Sequence, residues 1–443
     1  MNKQPMDLRL SQEETTHGTR RTILLSNVVD KGRDNVAISF DMVNERNLPV
    51  PEILDGFVVG IIFYAMRLGQ NVRVHGVMSV EALRNLNEFQ EAWTLWKGAH
   101  YTKVEIIPND VKGGNTTARR DDTIAAFSGG VDSIFTLLRH STGTLGLASY
   151  PVRRSVLMVH GFDVPLREPG KFQALKERTA PLLRELNLQV RMIRTNLKEV
   201  GLQDWEDSFL SQLACCLHNY SHEFGHALVG SSEPYNALVL PWGSNPATDY
   251  LLSGSALRIV HDGAGYSRTQ KVETIARNEL ASKVVKVCWE GKETHKNCGT
   301  CEKCVRTRLN FLAVGVADPG CFDTPLDLRR ISDIELKNDT QAAELRSIVV
   351  YAKSKGINDR WVNALERRIK EYDSHTKVRR FASLIKKAWK LTREGQWHEL
   401  RKRMENKVKA VAEAGKLKCY CPLVVPSFFV AQMAICGGDL PGV

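Results

Sequence analysis

A glycine-containing turn near residue 130 has the residue types of an anion-binding loop. The string Phe-Ser-Gly-Gly-Val-Asp-Ser occupies 127–133, between an apolar run at 124–127 and a helix-like run from Ile134. This pattern predicts a strand, a turn and a helix start, where backbone N–H groups bind phosphate oxygens. Glycine lets the backbone approach a phosphate closely, and an aspartate there can hold Mg²⁺. The candidate phosphate- and magnesium-binding residues are Ser128, Gly129, Gly130, Val131, Asp132 and Ser133.

The turn lies in a segment where strand and helix patterns alternate. Strands are predicted at 123–127, 155–159, 189–194 and 226–230, and helices at 133–140, 171–186 and 205–223. Such alternation is typical of a parallel sheet covered by helices on both faces, with ligands beyond the carboxyl ends of the strands. Asp163 and Glu233 follow two of these strands. They are candidates for ribose, metal or substrate contacts, and each equally suits a helix cap or a surface position.

Four of the ten cysteines are grouped with metal-ligand spacing. Cys288, Cys298, Cys301 and Cys304 form the pattern C-x9-C-x2-C-x2-C. Four thiolates can close tetrahedrally on Zn²⁺ in a structural site. An iron–sulfur cluster and redox-active, sulfur-delivering cysteines are the alternatives that spacing leaves open.

The glycine turn lacks the Gly-Lys-Ser/Thr of a Walker loop. The string Ser-Gly-Gly-Val-Asp-Ser at 128–133 instead resembles the PP-loop of the ATP pyrophosphatase superfamily. The resemblance implies cleavage of ATP between its α and β phosphates, with AMP passing to a substrate oxygen and pyrophosphate held by the loop. It also implies a doubly wound, adenine-nucleotide α-hydrolase-like sheet.

The PP-loop-like string and the cysteine pattern together resemble the 7-cyano-7-deazaguanine synthases over residues 121–312. That family implies a zinc-containing enzyme that adenylates the carboxylate of 7-carboxy-7-deazaguanine and converts it, through an amide, to a nitrile. Residues 267–273 are similar to the family's lysine-bearing helix start, so Lys271 becomes a candidate catalytic residue with Asp132. A surface lysine in a first helical turn is an equally good reading of Lys271.

Departures from the family concern the substrate side. The family's segments Tyr-Gly-Gln-Arg-His and Tyr-Pro-Asp-Cys-Arg are replaced by other residues at 160–164 and 242–246. With its additional N-terminal and C-terminal segments, this chain resembles the synthase-like proteins of anti-phage defence systems (CBASS and related). This implies coupling of a deazaguanine to an amine of a partner protein. A tRNA-modifying sulfurtransferase and a non-catalytic, ATP-sensing defence scaffold are the alternatives.

The 443 residues predict four segments. These are a disordered leader at 1–20, an α/β domain at 21–119, the PP-loop domain at 120–328 and a helical basic module at 329–443. The chain carries a net charge of +11, and fourteen basic against four acidic residues give segment 375–418 a charge of +10. This segment is predicted either to meet nucleic acid or an acidic protein, or to be a solvated helix face.

The apolar runs at 57–68 and 422–435 are too short to span a bilayer. With no secretory signal in the polar N-terminus, the sequence predicts a cytoplasmic protein without a membrane contact.

Overall fold

The computed structural model describes residues 4–30, 32–113, 119–150, 155–288, 296–336 and 339–374. The basic segment 375–418 and the apolar run 422–435 lie outside these ranges. The chain divides into two units, Met1–Ile369 and Lys370–Val443. The strands, helices and site described below belong to the first unit.

Ten strands within the described residues form one mostly parallel sheet. They are β1 (Met6–Thr15), β2 (Gly18–Asp30), β3 (Arg33–Val43), β4 (Val72–Ser79), β5 (Ile106–Lys112), β6 (Thr123–Ala126), β7 (Ser155–His160), β8 (Gln189–Thr195), β9 (His226–Gly230) and β10 (Arg258–Asp262). Their spatial order is β10-β9-β6-β7-β8-β3-β2-β1-β4-β5. The prediction of an α/β fold with a parallel sheet is therefore confirmed at this level.

The parallel half of the sheet consists of β10, β9, β6, β7 and β8. The central strand β6 is buried along its whole length, as expected of a strand with helices on both faces. Four of these strands were predicted close to their observed bounds. β10 was not, because the run Arg-Ile-Val-His-Asp contains only two adjacent apolar residues.

The other half of the sheet continues across the predicted boundary between residues 119 and 120. β8 pairs antiparallel with β3, and Phe40 lies opposite Thr195. β3, β2 and β1 are antiparallel neighbours, followed by the parallel pairs β1–β4 and β4–β5. Because β3 covers the open edge of β8, the backbone groups of β8 find partners on both sides.

The disordered leader predicted at 1–20 is wrong for the residues that the structure describes. β1 pairs with β2 from Asp7 to Thr15 and with β4 from Met6 to Leu8. Met6 and Leu8 are fully buried. The alternation Met-x-Leu-x-Leu at 6–10 is the strand signal that the high charge of this stretch obscured.

Nine helices in the described part of the chain have defined bounds. They are α1 (Asp55–Leu68), α2 (Val80–Lys97), α3 (Val131–Ser141), α4 (Pro169–Glu185), α5 (Trp205–His218), α6 (Arg268–Ala276), α7 (Glu279–Val284), α8 (Glu302–Ala313) and α9 (Asp339–Ser354). Residues 360–369 of the same unit are also helical. Among the described residues no helix has the length and apolar character needed to cross a membrane.

Helix α1 joins the two halves of the sheet by packing closely on α5. A Cβ at Gly60 would lie 2.7 Å from the Cys215 Sγ, and one at Gly56 would lie 2.1 Å from the Cβ of His218. Glycine is required at both positions because any side chain would separate the helices. Cys215 and Cys216 of α5 are fully buried core residues.

Helix α9 belongs to the first unit, although 329–443 was predicted to be a separate helical module. It buries Ala342, Leu345 and Ile348 and contacts α6 and α8. The amphipathic pattern of α9 therefore serves the same unit as the sheet.

Candidate functional site

The glycine turn lies where the strand order of the parallel half reverses. From β6 the chain proceeds to β7 and β8 on one side, then returns to β9 and β10 on the other. Parallel α/β sheets form a ligand crevice beyond the strand ends at such a switch point. The turn after β6 and residues 231–233 after β9 flank this crevice.

The turn leaves the start of α3 open to an anion. Gly129 has a φ of +74°, and Gly130 is the N-cap of α3 and gives it no side-chain cap. The Gly130 N–H donates to the Ser128 Oγ at 3.3 Å, and the Ser133 Oγ donates to the Gly130 carbonyl at 3.1 Å. The first N–H groups of a helix have no partner within it and carry its positive dipole end. The turn can therefore hold a phosphate.

Two cations converge on Asp132 in the first turn of α3. The Lys271 Nζ lies 2.9 Å from Oδ1 of Asp132, and the Arg268 Nη2 lies 3.0 Å from Oδ2. Both cations come from the first turn of α6, at positions three residues apart that share one helix face. Burial would raise the pKa of Asp132, but the charges of Arg268 and Lys271 outweigh it, so its pKa is lowered.

The Lys271 ammonium is held in a defined place at the end of β9. Its side chain is 1% exposed. The Nζ donates to the carbonyl oxygen of Ser231 at 2.5 Å and to its hydroxyl at 3.0 Å. The fold thus brings together the two residues predicted to be catalytic, Asp132 and Lys271, as an ion pair rather than as separate metal and phosphate ligands.

Sequence reasoning missed a second layer of charges behind Asp132. Glu344 of α9 accepts from the Arg268 Nε at 3.2 Å and forms an ion pair with Arg306 of α8. Arg306 also lies 3.0 Å from Glu302 within α8. For Arg268 the sequence did contain a signal, because this residue precedes Lys271 by three positions and so lies on the same helix face. Nothing in the sequence linked Glu344 to the site.

Glu233 is a buried acid next to these cations. Desolvation raises its pKa to about 7, despite the opposing charges of Arg268 and Lys271. Its carboxyl group therefore changes protonation near neutral pH, as groups that transfer protons do.

A cavity of about 480 Å³ lies beside the turn. Its aromatic walls include Phe162, Trp205, Phe209 and Trp242, and its polar lining includes Ser128, Asp132, Ser133, Asp163, Glu206, Ser232, Ser244 and Lys303. Within the described residues, the buried Ser232 hydroxyl and Trp242 indole N–H have no hydrogen-bond partner. The cavity has the size and the mixed apolar and polar lining typical of small-molecule sites.

Asp163 reaches this cavity, whereas Glu233 is not part of its lining. The surrounding protein desolvates Asp163 and raises its pKa, and the positive charges of Lys198, Lys303 and Lys286 act in the opposite direction. Burial outweighs the attraction of these lysines, so Asp163 holds a proton more readily than an exposed aspartate does.

The four predicted metal ligands form a compact cluster. Their sulfur atoms all lie within 4.8 Å of one another, with 3.7 Å between Cys288 and Cys301 and 3.9 Å between Cys298 and Cys304. Zn–S bonds of about 2.3 Å in a tetrahedron would place sulfurs about 3.8 Å apart. A hydrogen bond from Cys304 lowers the pKa of Cys301 to about 5. The cluster therefore fits a four-coordinate metal ion such as Zn²⁺.

The cysteine cluster is connected to the turn through the chain on both sides. Before Cys288, the Lys286 N–H donates to the Gly129 carbonyl at 2.8 Å. After Cys301, helix α8 carries Lys303 to the cavity and Arg306 to Glu344. A metal ion here would fix the cationic side of the crevice.

Comparisons with protein-family models, curated proteins and solved structures found no match to this chain. The fold and the site themselves define an α/β protein with a candidate anion-binding crevice, an aromatic cavity and a four-cysteine cluster that could hold a metal ion.

Proposed function

We propose that this protein is an ATP-dependent C–N ligase of the PP-loop type that adenylates a carboxylate, with 7-carboxy-7-deazaguanine as the substrate. The observation that carries the proposal is the open N-terminus of α3 at the switch point of the sheet, with Lys271 and Arg268 directed at it. The strand order β8-β7-β6-β9-β10 is the 3-2-1-4-5 arrangement of nucleotide-binding doubly wound sheets.

In the first step, a carboxylate oxygen of the substrate attacks the α phosphorus of ATP. The bond between the α phosphorus and the bridging oxygen breaks, and pyrophosphate leaves with that oxygen. The backbone N–H groups near Gly130, with Ser128 and Ser133, stabilise the charge that develops on pyrophosphate. Lys271 and Arg268 offset charge on the phosphates, and Asp132 holds both cations in position.

In the second step, an amine attacks the acyl carbon of the acyl adenylate, the bond from this carbon to the bridging oxygen of the mixed anhydride breaks, and AMP leaves with both electrons of that bond. The amine loses a proton, and Glu233 has a pKa suited to accept it. The amine is ammonia or an amino group of a partner protein, as in the defence proteins that the chain resembles. Mg²⁺ bound with ATP would neutralise phosphate oxygens.

The test is product analysis with ATP, 7-carboxy-7-deazaguanine and an amine. We expect AMP and pyrophosphate in a ratio of one to one and an amide or nitrile by mass spectrometry. ADP and phosphate as products would contradict the proposal. Asp132→Ala is expected to abolish turnover, and its circular dichroism spectrum and melting temperature would show that the fold persists.

The same assays test the alternatives. A salt-dependent affinity for tRNA, with sulfur transferred to it, would identify a sulfurtransferase. Tight ATP binding without AMP formation, for every acid tried, would identify an ATP sensor.

A further inference from the structure

Besides Asp132, the lining of the cavity beside the turn includes two carboxylates in different electrostatic surroundings. Asp163 lies in the positive field of Lys198, Lys286 and Lys303. Glu206 is an exposed residue in the first turn of α5 that also lines the cavity. Its side chain forms no salt bridge or hydrogen bond to any residue in the described part of the chain, whereas its backbone carbonyl accepts from the Gly243 N–H at 3.0 Å. A carboxylate that lines a cavity without a protein partner can accept hydrogen bonds from a ligand.

The aromatic wall next to Glu206 is held in position from several sides. Lys198 lies 3.9 Å above the Trp205 ring and donates to the Phe162 carbonyl at 3.0 Å. Phe162 meets Trp205 edge to face at 5.2 Å between ring centroids. A flat ring that stacks at this wall would meet little side-chain reorganisation.

The segment after the cis Leu240–Pro241 peptide brings a second indole to the same place. A Cβ at Gly243 would lie 2.4 Å from the Glu206 carbonyl oxygen and 2.7 Å from the Phe209 ring, so this backbone contacts the start of α5 directly. That contact places Trp242 5.9 Å from Phe209. At residues 242–246 the chain differs from the synthase family that it resembles. A ligand at this position would therefore be recognised by residues that the family lacks.

We propose that Glu206 selects the substrate acid by accepting hydrogen bonds from the N–H donors on one edge of a flat heteroaromatic ring at the Trp205–Trp242 wall. A ring N–H and a neighbouring exocyclic amino group can bind the two oxygens of one carboxylate, as a guanidinium does. The acid group of the substrate then points away from Glu206, towards the turn. The identity of the acid rests on the proposed function, whereas the role of Glu206 in binding does not.

The experiment compares 7-carboxy-7-deazaguanine with its analogue that lacks the 2-amino group. Dissociation constants from calorimetry are measured for the wild-type protein, Glu206→Gln and Glu88→Gln, and AMP formation is followed in parallel. Glu88 is an exposed residue of α2 outside the cavity lining, so its variant is a matched control for the loss of one charge. We expect Glu206→Gln to weaken binding of the amino-bearing acid by roughly 10- to 100-fold. Binding of the analogue, which keeps only the ring N–H donor, should fall by a factor at least about threefold smaller, and Glu88→Gln should change neither.

Four outcomes would overturn the inference: no binding of either acid by the wild type, no change in Glu206→Gln, an equal loss for both acids, or the same loss in Glu88→Gln. If the wild type binds the amino-bearing acid with a preference that depends on Glu206 but forms no AMP, the inference stands and the proposed function fails. If AMP forms and the preference does not depend on Glu206, the inference fails and the proposed function stands.

Discussion

The two halves of the sheet both bury charged side chains, but they use them differently. In the antiparallel half, Arg21 is 1% exposed and donates to the carbonyl oxygens of Asn219 and Pro49, both at 2.7 Å, and to Gln12 at 2.9 Å. Its partners are neutral and come from three separate parts of the chain. Such an arginine joins elements and is a structural residue.

In the parallel half, the buried cations meet acids at the strand ends. Lys271 and Arg268 converge on Asp132, and Glu233 lies in their field with a pKa of about 7. Burial of charge is common to both halves. What distinguishes a candidate site is convergence of several charges on one open helix start, next to a cavity.

The largest expected effect concerns the metal site of the parallel half. Removal of Zn²⁺ by a chelator, or Cys301→Ala, should lower the melting temperature steeply, since structural zinc contributes on the order of 10 kcal/mol to folding. Activity should fall with it, because α8 carries Lys303 and Arg306. Metal analysis and thermal unfolding check this, with the buried Cys216→Ala as a control that keeps the metal. An absorption band near ~400 nm would instead indicate iron–sulfur.

The second-largest effect is expected at the ion pair of Asp132 and Lys271, where activity and stability should respond differently to substitution. Lys271→Met should lower acid-dependent AMP formation by about 100- to 1000-fold, because the buried ammonium group no longer offsets the negative charge of the phosphates. The double variant Asp132→Asn/Lys271→Met removes both charges and should regain much of the lost stability without regaining activity. Kinetics and melting temperatures of the three proteins check this. Recovery of activity in the double variant would show that the pair is structural only.

At Arg21 we expect the opposite result, a loss of stability without a loss of activity. Arg21→Met leaves the buried Asn219 carbonyl and the partly buried acceptors of Pro49 and Gln12 without this donor, and should lower the free energy of unfolding by about 3 kcal/mol. Below its melting temperature the variant should form AMP at the wild-type rate, which urea unfolding and kinetics together would test. An Arg21→Met protein that forms AMP slowly but is as stable as the wild type would contradict the structural role of Arg21 and thus the contrast between the two halves of the sheet.

The smallest effect is a pH dependence of stability from Glu233. Its pKa is raised from 4.5 to about 7 in the folded protein, so its contribution to stability is present below pH 4.5 and is lost as the pH rises to about 7. Between pH 5.5 and 8.5 this amounts to about 2 kcal/mol. Glu233→Gln should lack this loss in thermal unfolding at the two pH values. An identical pH dependence in both proteins would show that Glu233 does not titrate in this window.

Local patterns predicted much of the fold. The strand at 226–230 has the predicted bounds, because it is an apolar run that lies between Gly225 and Ser231. The proximity of Cys298, Cys301 and Cys304 followed from spacing, since cysteines three positions apart are neighbours in a turn or a first helical turn. β1 and β10 were missed, and both depend on pairing with distant strands.

By itself, the sequence determined the glycine turn, the helix start after it and the four thiols, which arise from residues near one another along the chain. Only the tertiary structure decided that β3 joins β8 in one sheet, and that Lys271 and Asp132, 139 residues apart, lie within 2.9 Å. It also decided that Glu206 faces the same cavity as Ser128. Contacts of this kind depend on packing between remote segments, and no local pattern of residue types encodes them.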